Sequence, residues 1–195
     1  MGREICNSHT RGENTLIFIE TKLKGSYIID VEKASDERGF FARSWDKDIF
    51  EKKGLNGNLV QCNISFNTKK GTIRGMHYQE HPHQEAKLVR CTKGRIFEIM
   101  IDLRKNSKTF MQWESIELNS NEHSMLYVPE GFALGFQTLE DDTEIFYQMS
   151  QYYKPEFSRG IRWDDDAFRI VWPLKITVIS KKDMSFSPFN SQSFS

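Results

Sequence analysis

The sequence predicts an all-β domain of jelly-roll type with a few short helices. From about residue 59 onward, short apolar or alternating runs of strand length recur between turn signals. The spacing of those turns suits a sandwich or barrel and not βαβ units. Aromatic residues make up 13% of the chain, with fifteen Phe among them, which suits facing sheets and supplies flat surfaces for stacking on rings.

Taken in order, the first fifteen residues are polar and read as an extension or a partner-contacting arm. A helix is expected over residues 45–53, with Ser44 or Asp46 as N-cap and Gly54 just past its end. Six strand-like runs follow: LVQCNISF (59–66), KLVRCT (87–92), RIFEIMIDL (95–103), FMQWESIEL (110–118), SMLYVP (124–129) and TEIFYQMS (143–150). Lys70-Gly71, Lys93-Gly94, residues 119–122, Pro129-Glu130-Gly131 and Glu140-Asp141-Asp142 punctuate them. The Ser/Phe-rich tail after Asp183 reads as a second extension or partner-contacting arm, so residues 1–195 are expected to form one domain with 1–15 and 184–195 appended to it.

Twenty-seven basic and twenty-seven acidic residues balance, so no global field draws the chain to nucleic acid or to an acidic membrane. An anionic ligand must be held by local arginines and lysines. Cys6, Cys62 and Cys91 are odd in number and lack paired metal-type spacing, which points to a reducing, cytoplasmic setting. No apolar run reaches bilayer length, and the polar start lacks a signal-peptide core. Gly2 suggests a myristoylation signal, but Cys6 stands where that signal needs Ser or Thr.

The densest chemical cluster is Gly71-Thr72-Ile73-Arg74-Gly75-Met76-His77-Tyr78-Gln79, followed by Lys87. Strict alternation in a strand over residues 72–79 sends Ile73, Gly75, His77 and Gln79 to one face and Arg74 to the other; a bend at Gly75 could bring Arg74 and His77 into one pocket. A histidine in a strand is also a common structural residue. Tyr147, Tyr152 and Tyr153 form a second cluster with residues 159–166, for which aromatic packing is the favoured reading on the residues alone, and Tyr147 and Tyr153 would share a face on a continuous strand. His81-Pro82-His83-Gln84-Glu85 suggests metal, but the proline between the histidines and the closeness of Glu85 favour an exposed loop.

In sequence order, Asp36-Glu37-Arg38-Gly39-Phe40-Phe41, Gln61-Cys62-Asn63-Ile64-Ser65, residues 73–79, Lys87-Leu88-Val89-Arg90, Pro129-Glu130-Gly131-Phe132-Ala133, Tyr152-Tyr153 and Ser180-Lys181-Lys182-Asp183 resemble the dTDP-4-dehydrorhamnose 3,5-epimerase family over residues 29–183. The resemblance implies a cupin-type jelly roll, usually a homodimer, that epimerises a nucleotide-linked 4-keto-6-deoxy sugar without metal or organic cofactor. By motif, His77 matches the base, Asp183 its carboxylate partner and Tyr147 the proton donor. Arg38, Gln61, Asn63, Arg74, Lys87 and Lys182 match substrate contacts, and Tyr153 matches the tyrosine that stacks on the nucleotide base.

The residue types suit the chemistry. Removing a hydrogen next to a ketone needs a positioned base and stabilisation of the enolate oxygen, for which Lys87 is the candidate cation. Arg38 and Arg74 suit a diphosphate. Three positions depart from the family pattern: Leu134 stands where a substrate-contacting histidine is usual, and Arg43 and Ser158 stand where glutamates are usual. The base, its partner and the acid are all present, which implies an altered substrate; a nucleotide-sugar-binding cupin with changed or lost catalysis is the alternative. A metal-dependent cupin oxygenase rests on His81, His83 and Glu85.

Overall fold

A computed structural model describes residues 15–191. The readings that fall on residues 1–14, Cys6 and Gly2 among them, and on 192–195 lie outside the described residues. Before the helix come strands β1 (Leu16–Glu20), β2 (Tyr27–Val31), β3 (Ala34–Asp36) and β4 (Gly39–Phe41). Helix α1 (Lys47–Lys52) leads to β5 (Gln61–Asn67), β6 (Thr72–Gln79), β7 (Lys87–Lys93) and β8 (Arg95–Asp102). Then follow β9 (Trp113–Asn119), β10 (Met125–Val128), β11 (Phe132–Thr138), β12 (Thr143–Met149), β13 (Ser158–Gly160), β14 (Val178–Ile179) and α2 (Lys181–Met184).

The expected all-β architecture is what folds. One six-stranded sheet runs β1-β2-β10-β7-β12-β5, and the other runs β13-β6-β11-β8-β9 with β14 pairing parallel to β6. β3 and β4 form a separate hairpin. Between the sheets, Val89 and Cys91 of β7 and Ile145 of β12 pack with Ile96 and Met100 of β8 and Phe136 of β11. These are the inward positions of the alternating runs, where burial of apolar side chains drives the sheets together.

All six predicted runs become strands, with ends trimmed or shifted by a few residues. β11 was not expected. Its sequence, FALGFQT, is buried at every position, so it carries no polar alternation to read. The helix is shorter than expected, Lys47–Lys52. Asp46 is its cap, with a carboxylate oxygen accepting from the Ile49 amide, and Gly54, at φ +78°, closes its end by donating to Glu51 O. Its one buried side chain, Phe50, packs edge-on against Phe18 and Tyr127 on the back of the first sheet.

β6 departs from strict alternation where the sequence allowed it. Leu134 of β11 pairs with His77, whereas Phe136 pairs with Arg74, so three steps along β6 match two along β11. The extra residue is a bulge at Gly75-Met76. Gly75 has φ +124°, and a Cβ there would meet the Gly135 Cα at 2.5 Å, so only glycine fits this approach of two backbones. The bulge turns Arg74 to the side that His77 occupies, and both line the same cavity.

Candidate active site

The space between the sheets opens into a cavity of about 930 Å³. One wall is β6 and β11 of the second sheet, contributing Arg74, His77 and Leu134; the other is β5, β7 and β12 of the first, contributing Asn63, Lys87 and Tyr147. Tyr153, Ser158 and Lys182 line it as well.

His77 is held from behind. Its Nε2 lies 2.7 Å from Asp183 Oδ1, and Asp183 is only 3% exposed. A carboxylate accepts, so Nε2 carries the proton and Nδ1 keeps its lone pair. Asp183 also accepts from the Gly75 amide at 3.3 Å, which links the bulge to the pair. Burial pushes the Asp183 carboxyl up, but the hydrogen bond and charge of His77, with the Gly75 and Ser180 bonds, outweigh it and hold it below the usual carboxylate range. It therefore stays ionised through neutral pH.

Asp183 reaches His77 because the C-terminal segment straps across the second sheet. Ser180 caps α2 by accepting from the Asp183 amide at 3.0 Å, which sets the first turn. Beyond α2, Phe186 stands edge-on to His77 at 6.0 Å between ring centroids and fills the space above Gly160, where a Cβ would come within 2.1 Å of its ring. Further on, the Phe189 amide donates to Asp165 at 2.7 Å and the Phe189 ring packs on Phe168 at 4.9 Å. The segment from 184 to 191, expected as an extension or a partner-contacting arm, carries Phe186 against the histidine.

Tyr147 stands on the facing sheet, in register with Asn63 of β5 and Val89 of β7. Burial pushes its hydroxyl well above the usual phenol range, Glu98 adds to the rise, and Arg74 opposes it. The group is a neutral hydroxyl at any working pH. Histidine and tyrosine therefore address one cavity from opposite walls.

Among the contacts expected for substrate, Arg74 is steadied by donating from Nε to Asn67 Oδ1 at 2.7 Å. Lys87 is paired with Glu85 at 3.0 Å, both side chains being largely buried. Gln61 is not among the residues lining the cavity; its Oε1 accepts from the amide of Tyr153, an exposed tyrosine that does line it, at 2.6 Å. Arg38 is not in the cavity. It lies on the β3–β4 hairpin, paired with Asp36 and 84% exposed, beside Phe40 and Phe41.

Of the departures, Leu134 and Ser158 line the cavity, while Arg43 pairs with Asp46 at the start of α1, away from it. The His81 to Glu85 segment does not converge on a point: the His83 ring packs on Phe157 at 4.5 Å, and Glu85 is engaged by Lys87 and Gln79. Among the described residues no group of three or more His, Cys, Asp or Glu is placed to hold a metal ion. Sequence reasoning also missed Glu98, a carboxylic side chain buried in the cavity wall. Its signal was available: an acid at an inward position of β8, between Ile96 and Met100.

Comparison with known proteins gives the family and the fold. The sequence model described as dTDP-4-dehydrorhamnose 3,5-epimerase matches residues 20–191. A curated dTDP-4-dehydrorhamnose 3,5-epimerase of Methanothermobacter thermautotrophicus is 40% identical over 174 residues, 88% of this chain and 93% of that one. The crystal structure of the Bacillus anthracis enzyme of that name, with TDP and PPi bound, superposes with a TM-score of 0.86 at 35% identity, covering 90% of this chain and 100% of that one. The Legionella pneumophila dTDP-6-deoxy-D-glucose-3,5-epimerase, in complex with dTDP-4-keto-L-rhamnose, gives 0.82 at 33% identity, over 89% and 93% of the two chains. With a family match across nearly all of the described residues, this chain belongs to the dTDP-4-dehydrorhamnose 3,5-epimerase family.

Proposed function

We propose that the protein is an isomerase that epimerises a nucleotide-linked 4-keto-6-deoxy sugar at C3 and/or C5, of the dTDP-4-dehydro-6-deoxyglucose to dTDP-4-dehydrorhamnose type. The observation that carries this is the His77–Asp183 pair on one wall of a cavity and Tyr147 on the opposite wall. Nδ1 of His77 removes the proton next to the ketone, Asp183 stabilises the imidazolium, and Tyr147 returns a proton to the other face of the ring. Lys87 is suited to the enolate oxygen, its charge partly offset by Glu85. Arg74 and Lys182 suit the diphosphate and Tyr153 the base. Proton transfer alone balances this reaction, so no cofactor is invoked. The ketosugar bound by the Legionella relative supports the substrate class.

The test is proton NMR in heavy water with dTDP-4-keto-6-deoxyglucose. Deuterium is expected at the carbons flanking the ketone, and absence of exchange despite saturating binding would sink the reading.

A cytoplasmic homodimer fits the remaining features. Cys62 and Cys91 are free thiols, and among the described residues no helix is long and apolar enough to cross a membrane. Edge strand β5 exposes Ile64 at 66% and Phe66 at 47% beside the cavity, and the β3–β4 hairpin exposes Phe41 at 68%, apolar surface that a second copy would cover. In such a dimer the hairpin delivers Arg38 to the partner's cavity. Mixing inactive Arg38→Ala and His77→Asn proteins and allowing exchange of protomers is then expected to restore about a quarter of the wild-type sites, since half the dimers are mixed and each carries one intact site. Arg38 acting within its own chain restores none.

A further inference from the structure

We propose that Glu98 is a sugar-binding residue of this cavity, its carboxyl group donating one hydrogen bond to, and accepting another from, oxygen substituents of the ketosugar. The inference rests on the ketosugar reading of the site and assigns a group to the sugar end of it. On β8 the inward positions are Ile96, Glu98 and Met100; the two apolar ones are core, and the acid between them lines the cavity. Glu98 is 1% exposed, and neither of its carboxyl oxygens has a hydrogen-bond partner.

The same strand shows how this fold satisfies a structural acid. Asp102, fully buried, accepts from Arg104 at 2.8 Å, Ser107 at 2.6 Å and Thr109 at 2.7 Å. Glu98 receives nothing comparable, and Lys87, the cation whose charge reaches it, is paired with Glu85. A buried polar group left without partners destabilises the fold, so its retention asks for a partner that arrives with the ligand. The titratable groups that interact electrostatically with it are Lys87 and Cys91 of β7 and Tyr147 of β12. Burial raises its carboxyl well above the usual range against the weaker pull of Lys87, so it enters the site as a neutral acid, able to donate as well as accept.

Its place also answers the Leu134 departure. Leu134 offers a ligand no hydrogen bond, and β8, the adjacent strand, pairs Glu98 with Phe136 two residues further along β11. The cavity thus has an apolar side chain at Leu134 and an unpartnered carboxyl at Glu98 on the adjacent strand, and that placement bears on which sugar oxygens are matched.

The experiment compares Glu98→Gln and Glu98→Met for thermal stability and for kcat/KM in the exchange assay. Methionine removes the unpartnered oxygens at similar volume, so Tm is expected to hold or rise while kcat/KM falls at least about tenfold; glutamine, which donates and accepts, is expected to stay within about threefold. A purely structural Glu98 gives the reverse for methionine, a lower Tm with kcat/KM of the folded protein within about twofold of wild type, and overturns the proposal. Infrared difference spectra of the wild-type protein with and without dTDP-4-keto-6-deoxyglucose separate this from failure of the epimerase reading, and decide the matter if the methionine variant does not fold. A carboxylic-acid C=O band that shifts on binding and is missing in Glu98→Gln supports the proposal even without turnover, and a band that does not move overturns it.

Discussion

His77→Asn is expected to slow deuterium incorporation into the ketosugar by about 10³-fold while leaving the protein folded. Asparagine is the informative replacement because of what lies behind the ring. Asp183 is 3% exposed and held as a carboxylate by the 2.7 Å bond from His77. A side-chain amide can still donate to it, whereas alanine leaves that buried charge short of a partner, at a cost of about 1–3 kcal/mol. His77→Asn therefore removes the base without removing the support, and His77→Ala removes both. A melting temperature near wild type for asparagine, lower for alanine, with exchange lost in both, is the expected pattern. Asparagine with near-normal exchange would place the base elsewhere in the cavity.

How much of this site was visible in the sequence depends on which physical rule each residue obeys. The strands read well where inward apolar and outward polar positions alternate, as in β12, and badly where burial is uniform, as in β11. The pairing of His77 with Asp183, 106 residues apart, has no expression in spacing; the family motifs supplied it, and the C-terminal strap with Phe186 and Phe189 explains how the chain achieves it. Alternation alone separated Arg74 from His77. Gly75 was the single letter that allowed otherwise, and its bulge against Gly135 unites them.

Arg38 and Glu98 mark two limits of another kind. Arg38 carries a substrate-contact motif, yet one chain leaves it exposed and outside the cavity; in the proposed dimer it would serve the partner's site, and no motif records which copy a residue serves. Glu98 carries no motif in the reading of the sequence and becomes visible only when its missing partners are counted.

Tyr147→Phe is expected to uncouple the two halves of the reaction. His77 and Tyr147 come from different sheets and meet the cavity from opposite walls, so removal and return of the proton are assigned to different side chains. Phenylalanine keeps the ring that packs by Phe136, at 6.5 Å between centroids, and loses only the hydroxyl. That hydroxyl is protonated at working pH, since burial first and Glu98 second push it upward, so the variant loses a donor and no charge. The enolate still forms, because base, orienting carboxylate and Lys87 are untouched. It can then be reprotonated only from the side of His77, whose proton exchanges with solvent. Substrate is therefore expected to gain deuterium with its configuration retained, while inverted product falls about 10²- to 10³-fold. Integrating labelled substrate against labelled product in one NMR time course measures the ratio directly. A variant in which exchange and inversion fall together would mean that Tyr147 acts before the enolate forms, and inversion at the wild-type rate would remove the tyrosine from the reaction.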